Sequence, residues 1–572
     1  MILSWNALIP APAAPRRLLI ALGGLLLSAP GRPVFASIYD GYMNHAGLLE
    51  AVNRLNVESE ACTLDVIGAS REQRGLLVLT LTSDPALASQ RPALLITAGL
   101  DGRDMLGTEI SIRVARSLLT DHAGLLDDVT VYVIPRVNPD GAELNLGEVN
   151  SGHIGTLRAV DADRDGAADE DSPRDLNGDG VITQMRRIDP PIDDPPTHMA
   201  DPAEPRLLIK PESNKGQGAT YSLYVEGLDA DGDGRIAEDP RGMVDLDRNF
   251  MHRWPQFADD AGPYQLSELE SLALAQFVLE HRNIVAAITY GRHDNLINVP
   301  DGKGKDITGR GPKDLDPGDV DLYKEMSKLF KDITGQKRAA GEDAAGAFHA
   351  WLYAQRGIPS FATVVWGRPD PVADEKKVDA AEDEKDKPID AEAAAWLAYS
   401  DRERGGAGFV EWQPFDHPTL GAVEIGGFVP GFQMNPPMTE LDDLAAKQTA
   451  FAVEIANRRP QIVVTPPVVK RLATGLYEIR LSLRNEGFLP MTTAMARKAR
   501  ALPPMIVRLS TPVDGIVAGE RVNRSWGIEG SGGRFDLQWI VLAEDGAEIS
   551  IEIENAATGS QTIRFNAMEE QK

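Results

Sequence analysis

The 572-residue sequence predicts an α/β domain, with a mixed, largely parallel sheet flanked by helices, followed by an all-β sandwich. Two observations carry this reading. From about residue 38 to 460, short apolar runs rich in β-formers alternate with segments of helical periodicity. That is the pattern of strands buried on both faces by helices. After about residue 460 the period falls to two and turn residues recur between short segments, as in stacked antiparallel sheets.

In the first region, apolar runs at 93–98, 129–137, 285–290 and 361–366 are expected to be buried strands. Helical spacing follows at 106–119, 267–279, 321–333 and 344–355. The helix at 106 follows a Gly-containing turn, and the one at 267 opens on Ser-Glu-Leu-Glu, a capped start. Residues 370–392 are densely charged and lack aromatics, so a solvated, flexible loop is expected there. In the last region β-type segments fall at 462–469, 477–484, 505–509, 535–542 and 548–553. Tyr477, Ile479, Leu481 and Leu483 show the alternation of a strand with one buried face. The domain limits read as 37–460 and 461–572.

The first 36 residues read as an export signal. Arg16 and Arg17 precede the apolar run 18–27, and Val34-Phe35-Ala36 offers a small-residue cleavage site. That run is short for a bilayer span, and no other stretch approaches 18 apolar residues. The mature chain is therefore expected to lack a transmembrane segment and to act in the periplasm or outside the cell. The single cysteine, Cys62, rules out a disulfide framework and a cysteine-based zinc site.

The formal net charge is −28, which argues against a nucleic-acid partner, because phosphate contacts need Lys/Arg-rich surfaces. The excess is local. Residues 161–179 carry eight acids against two arginines, 229–239 carry five against one, and 370–392 carry ten against four lysines. The first two stretches form an acidic insert, about 160–240, with carboxylates at alternate positions. One run comprises Asp161, Asp163, Asp165 and Asp169, continuing through Asp171 to Asp175, Asn177 and Asp179. The other comprises Asp229, Asp231, Asp233 and Glu238. Alternating oxygen ligands followed by a glycine turn suit a hard Ca²⁺ ion, and structural calcium is expected. An EF-hand would place Glu at position twelve; here those positions are Arg186 and Pro240.

Three motifs sit in order at predicted strand ends. They are Gly99-Leu100-Asp101-Gly102-Arg103-Asp104, then Asn138-Pro139-Asp140-Gly141, then Val244-Asp245-Leu246-Asp247-Arg248-Asn249-Phe250. Together they resemble the carboxypeptidase A-like family of zinc metallopeptidases, and the acidic insert resembles a bacterial secreted branch of it. The resemblance implies the zinc carboxypeptidase fold over residues 38–460. It also implies a zinc ion held by two His and one Glu, a glutamate base, and an arginine that captures a peptide's C-terminal carboxylate.

Residue by residue, the motifs diverge from that set. Asp101 and Asp104 stand at the His and Glu ligand positions, and His293 is the nearest histidine to the second His position. Val364 stands at the base position, where it cannot move a proton, and Glu424 is the candidate replacement. Arg248 keeps the carboxylate-binding position, with Asp247 in place of its usual Asn neighbour. No His-x-x-Glu or His-x-x-His spacing occurs anywhere in the chain. Three readings stay open: an inactive family member that binds peptide C-termini, a zinc-dependent carboxypeptidase with an altered metal site, and a calcium-stabilised adhesion or binding protein.

Overall fold

The computed structural model describes residues 37–161, 166–188, 190–192, 194–369, 388–500, 502–555 and 558–568. The expected export signal, Asp163, Asp165 and residues 370–387 of the charged stretch lie outside them. The rest of that stretch was expected to be loop, but its end joins a helix that begins at Ala391. Asp390 caps this helix by accepting from the Ala393 amide.

The architecture grows from alternation within the strands. Six strands form the central sheet: β1 (Cys62–Ala69), β2 (Gly75–Leu81), β3 (Ala93–Thr97), β4 (Thr130–Ile134) and, further along the chain, Ile284–Tyr290 and Ser360–Thr363. In β3, Leu94 and Ile96 face one layer of the core while Ala93 and Leu95 face the other. Val131 and Val133 of β4 oppose Tyr132 and Ile134 in the same way. A strand with both faces apolar needs cover on both sides. Helices α1 (His45–Glu58) and α2 (Met105–Thr120) contribute to one layer. Helix α4 (Leu269–Glu280) contributes to the other, and the short α3 (Pro139–Asn145) lies between them in sequence. Each fully buried Leu or Ile contributes about 1.5–3 kcal/mol.

With β5 (Gln184–Ile188), β6 (Met199–Ala200), β7 (Leu208–Ile209) and β8 (Tyr221–Val225) intervening, the last two strands of the central sheet become β9 (Ile284–Tyr290) and β10 (Ser360–Thr363). Its order is β1-β2-β4-β3-β9-β10, parallel from β4 through β10 and antiparallel at the β1–β2 edge. The carboxyl ends of β3, β9 and β10 therefore open on one side, where ligands bind in open α/β sheets.

The acidic insert is more than loops. Strands β5 and β8 from the insert join β11 (Phe409–His417) and β12 (Gly421–Phe428) in a second sheet of order β11-β12-β5-β8. Buried Glu226, at the end of β8, accepts from the amides of Leu176 and Thr183 and so ties one acidic run to the other.

The C-terminal region is a sandwich, as its alternation predicts. One antiparallel sheet contains Leu476–Asn485 and Gly533–Leu542; the other contains Met505–Leu509 and Glu548–Glu554. Their inward residues, including Tyr477, Ile479, Leu481, Val507, Ile551 and Trp539, form one apolar cluster.

Three further helices complete the first domain: α5 (Val320–Thr334), α6 (Phe348–Arg356) and α7 (Ala391–Glu403), with α8 (Leu441–Asn457) leading to the sandwich. The sandwich docks through α9 (Ala494–Ala499). Asp319, 3% exposed, accepts from the amides of Ala494 and Met495 at 2.7 and 3.1 Å and from the Tyr353 hydroxyl at 2.7 Å. Gly357 ends α6 with φ +66° and meets Ala496 so closely that a Cβ would lie 2.1 Å from that side chain. Any larger residue there would push the domains apart. Replacing Asp319 with Ala strands two amides and a buried hydroxyl, so Asp319→Ala is expected to cost about 2–4 kcal/mol in urea denaturation. Asp319→Asn, which keeps acceptor capacity, should cost less.

Candidate functional site

The site is built at the carboxyl ends of β3, β9 and β10. Asp101 leaves β3 in a tight turn, and Asp104 caps α2 by accepting from the Gly107 amide at 2.9 Å. Asn435 accepts from the next two free amides of that helix, Met105 and Leu106, and donates to the Arg103 carbonyl. The helix start and the turn that carries Asp101 are thereby fixed to one another. Gly107 has to be glycine: a Cβ would lie 2.7 Å from Asp104 Oδ2.

Two guanidinium groups dominate the centre. Arg103 grips Asp101 with Nε at 3.1 Å and Nη2 at 2.7 Å, and its amide donates to Asp101 Oδ1 as well. Arg292, just beyond β9, reaches Asp101 at 3.5 Å, binds Asp245 through Nη2, and pairs with Glu342 at 2.9 Å. Asp101 and Asp245 are each 3% exposed. Burial pushes the Asp101 carboxyl up, but the two arginines outweigh it and hold the group below the usual carboxylate range. Asp104 has no such partner. Its Oδ2 is buried without a hydrogen bond, and burial lifts its pKa to about 7.

The other residues singled out in the sequence fall around this centre or away from it. His293 is buried, with both ring nitrogens lacking a hydrogen-bond partner; burial and the Arg292 charge lower its pKa to about 3. Its ring lies 5.1 Å from that of His349, which is equally suppressed by burial. Both imidazoles are neutral at physiological pH. Asp247 accepts from the Phe348 amide and has its other oxygen 3.9 Å from His293. Arg248, on the turn Leu246–Arg248, is engaged by Asp260 at 2.8 Å. Glu424 lies on β12 in the second sheet and pairs with Arg186 at 2.7 Å; the Arg186 guanidinium stacks on Trp412 and Tyr221. Val364 follows β10, and its carbonyl accepts from Gln336.

The residues do not fit the zinc set. Zinc in a catalytic site needs three nitrogen, sulfur or carboxylate ligands converging at about 2.0–2.3 Å. Both oxygens of Asp101 are spent on Arg103, and one of Asp104 is spent on its helix cap. Among the described residues, no trio of His, Cys, Asp or Glu ligand atoms converges here. The positive charge at the centre is instead supplied by Arg103 and Arg292.

Beside that network opens a cavity of about 730 Å³. Arg103, Arg292, Lys337, Arg338 and Arg368 line it, with Trp366 and Trp396 adding apolar wall. Five cationic side chains face Asp104, Glu342, Asp390 and Glu392 in the lining; Arg103 and Arg292 are paired with buried carboxylates, and Arg368 lies 3.6 Å from Glu392.

The sequence signals missed here are Arg103, Arg292 and Asp245. All three stood in plain view, as the arginine inside Asp-Gly-Arg-Asp, the neighbour of His293, and the first Asp of Val-Asp-Leu-Asp-Arg-Asn-Phe. Only their convergence in space marks them.

Several carboxylates of the acidic runs turn onto their own loops. Asp175 accepts from Gly178 and Gly180, Asp179 from Val181, and Asn177 from Asp179. Asp161 accepts from Gly166, and Asp169 receives a long bond from Val160. Asp229 accepts from Gly232, Asp231 from Asp233, and Asp233 from Arg235.

Two variants test the centre. Arg292→Ala leaves Asp101 and Asp245 buried with much of their compensation gone, so it should destabilise the domain by about 3–5 kcal/mol in chemical denaturation. Asp104→Asn keeps a good helix cap. The wild-type carboxyl, raised to about 7 in the folded state, stabilises the fold below its unfolded pKa and loses that contribution as pH rises through 7. The Asn variant should match wild type near pH 4 and exceed it by on the order of 2 kcal/mol at pH 8.

Residues 49–167 match a family described as "Zinc carboxypeptidase", and residues 461–566 match a domain of unknown function (DUF8731). A zinc carboxypeptidase of Saccharothrix mutabilis subsp. capreolus is 29% identical over 135 residues, 22% of this chain and 31% of that protein. Carboxypeptidase E of Caenorhabditis elegans is 30% identical over 115 residues, 18% of this chain and 24% of its own length. The chain thus spans under a third of these relatives. The solved structure of thrombin activatable fibrinolysis inhibitor aligns over 73% of this chain and 74% of its own, at 13% identity and TM-score 0.40. The N-terminal domain has a carboxypeptidase A-like metallocarboxypeptidase fold.

Proposed function

We propose that this domain is an exported, catalytically silent relative of the zinc carboxypeptidases that binds ligands bearing a carboxylate, such as peptide C-termini. One observation carries the reading. Where the family's metal ligands belong, Asp101 is closed onto Arg103 and Arg292, and the adjoining cavity is lined by cationic side chains. Guanidinium groups recognise carboxylates with a planar pair of N–H donors, which orients a ligand without activating water. Hydrolysis needs a polarising cation and a base near the scissile bond. The base position is Val364, and Glu424 is held by Arg186 in the second sheet.

A second reading rests on the unpaired polar atoms. Asp104 Oδ2 and both nitrogens of His293 are buried without partners, so a divalent ion held by altered ligands would satisfy them.

Metal analysis and calorimetry separate the two. Protein dialysed against zinc is expected to retain less than 0.1 equivalent after desalting, and to release no C-terminal residue from peptides. Free-acid peptides should bind at least 10-fold more tightly than their C-terminal amides. One retained zinc, with chelator-sensitive release of C-terminal residues, would show the second reading to be right.

A further inference from the structure

We propose that the acidic insert holds two adjoining Ca²⁺ ions that share Asp231, with the otherwise buried Asp171 as the anchoring ligand of the first. This inference is independent of the cavity reading above.

Two sets of carboxylates converge. Oxygens of Asp171, Asp229 and Asp231 lie within 4.8 Å of one another, and so do oxygens of Asp231, Asp233 and Glu238. Oxygens bound to one calcium at 2.3–2.6 Å can be at most about 5 Å apart, so each trio has the span of a single coordination sphere.

Clustered acids alone would carry little weight, because exposed carboxylates repel one another into solvent at small cost. Asp171 is different. It is 1% exposed, and its Oδ1 accepts from the Ala230 amide at 2.7 Å, which fixes the carboxylate against the second loop. Its Oδ2 is buried with no hydrogen-bond partner, and Asp171 is the residue of the first run that converges with Asp229 and Asp231. A buried carboxylate oxygen left unpaired is costly, and a bound cation would satisfy it. Glu238, a member of the second trio, also has a buried Oε2 without a hydrogen-bond partner.

The chemistry selects the cation. All side-chain ligands are carboxylate oxygens, and three of the five residues, Asp229, Asp231 and Asp233, sit at alternate positions of one glycine-rich loop. Asp231 and Asp233 are exposed, which leaves room for water in the remaining positions. Such sites accept calcium's six to eight ligands, while Mg²⁺ demands a tighter octahedron and keeps its water. Five carboxylates around two divalent ions leave a net local charge of about −1. Asp171 comes from the first acidic run and the others from the second, so the first ion would clamp the two runs beside Glu226, which already joins them by hydrogen bonds.

Counting ions tests this on the full chain, by equilibrium dialysis against calcium with metal determined by emission spectroscopy. Relative to wild type, Asp171→Asn and Glu238→Gln should each lose one ion, or weaken it at least 10-fold. Asp231→Asn should lose two. Circular dichroism identical to wild type confirms folding. Calcium should also protect residues 161–240 from limited proteolysis in wild type and not in Asp231→Asn, a readout that does not depend on the ion count. An unchanged ion count in Asp231→Asn overturns the site, and loss of only one ion overturns the sharing. Displacement of calcium by equimolar Mg²⁺ overturns the assignment of the ion.

Discussion

The ion network of Asp101, Arg103, Arg292 and Asp245 is the constraint on which the rest of the site depends. Buried carboxylates in a parallel-sheet crevice need a cation, because desolvating them alone costs far more than packing returns. In a metalloenzyme that cation is exchangeable and chemically active. Here it is covalently part of the chain, delocalised over planar groups and permanently protonated. The two guanidinium groups thus compensate the buried carboxylates from within the chain.

The surrounding structure follows from serving that network. Asn435 and Asp104 satisfy the amides at the start of α2 and hold the Asp101 turn rigid. Asp247 is committed to the Phe348 amide, and Arg248 to Asp260, so the third motif is locked to α6 and to its own loop. His293 and His349 are buried with their rings 5.1 Å apart, and burial lowers the pKa of each.

Much of this was legible in the sequence. The apolar runs at 93–98 and 285–290 gave their strands because burial on both faces leaves no polar alternation to confuse with a helix. The sandwich was readable from the opposite signal, one wet face and one dry, as in Tyr477 to Leu483. The strands of the second sheet were not. Residues Gln184–Ile188 carry two arginines, and Arg186 becomes buried only because Glu424 and two aromatic rings come to it from distant segments. The site divides in the same way. Asp101 and Asp104, which the structure places at the centre, stand at motif positions, which are local. Arg292 could not be found, because its role is defined by partners nearly 50 and 190 residues away.

Asp319 has an implication for how such proteins are assembled over evolutionary time. Its carboxylate is buried in the first domain and is filled by amides belonging to the second. Gly357 leaves room for Ala496, whose Cβ would lie 2.1 Å from a Cβ at residue 357. A gene rearrangement that carried the sandwich to another host would leave behind an unpaired acid and an open seam, and would deliver a domain whose docking helix kept its Thr493 cap but lost the acceptor of its first two amides. The sandwich therefore depends on the first domain for part of its own hydrogen bonding and packing.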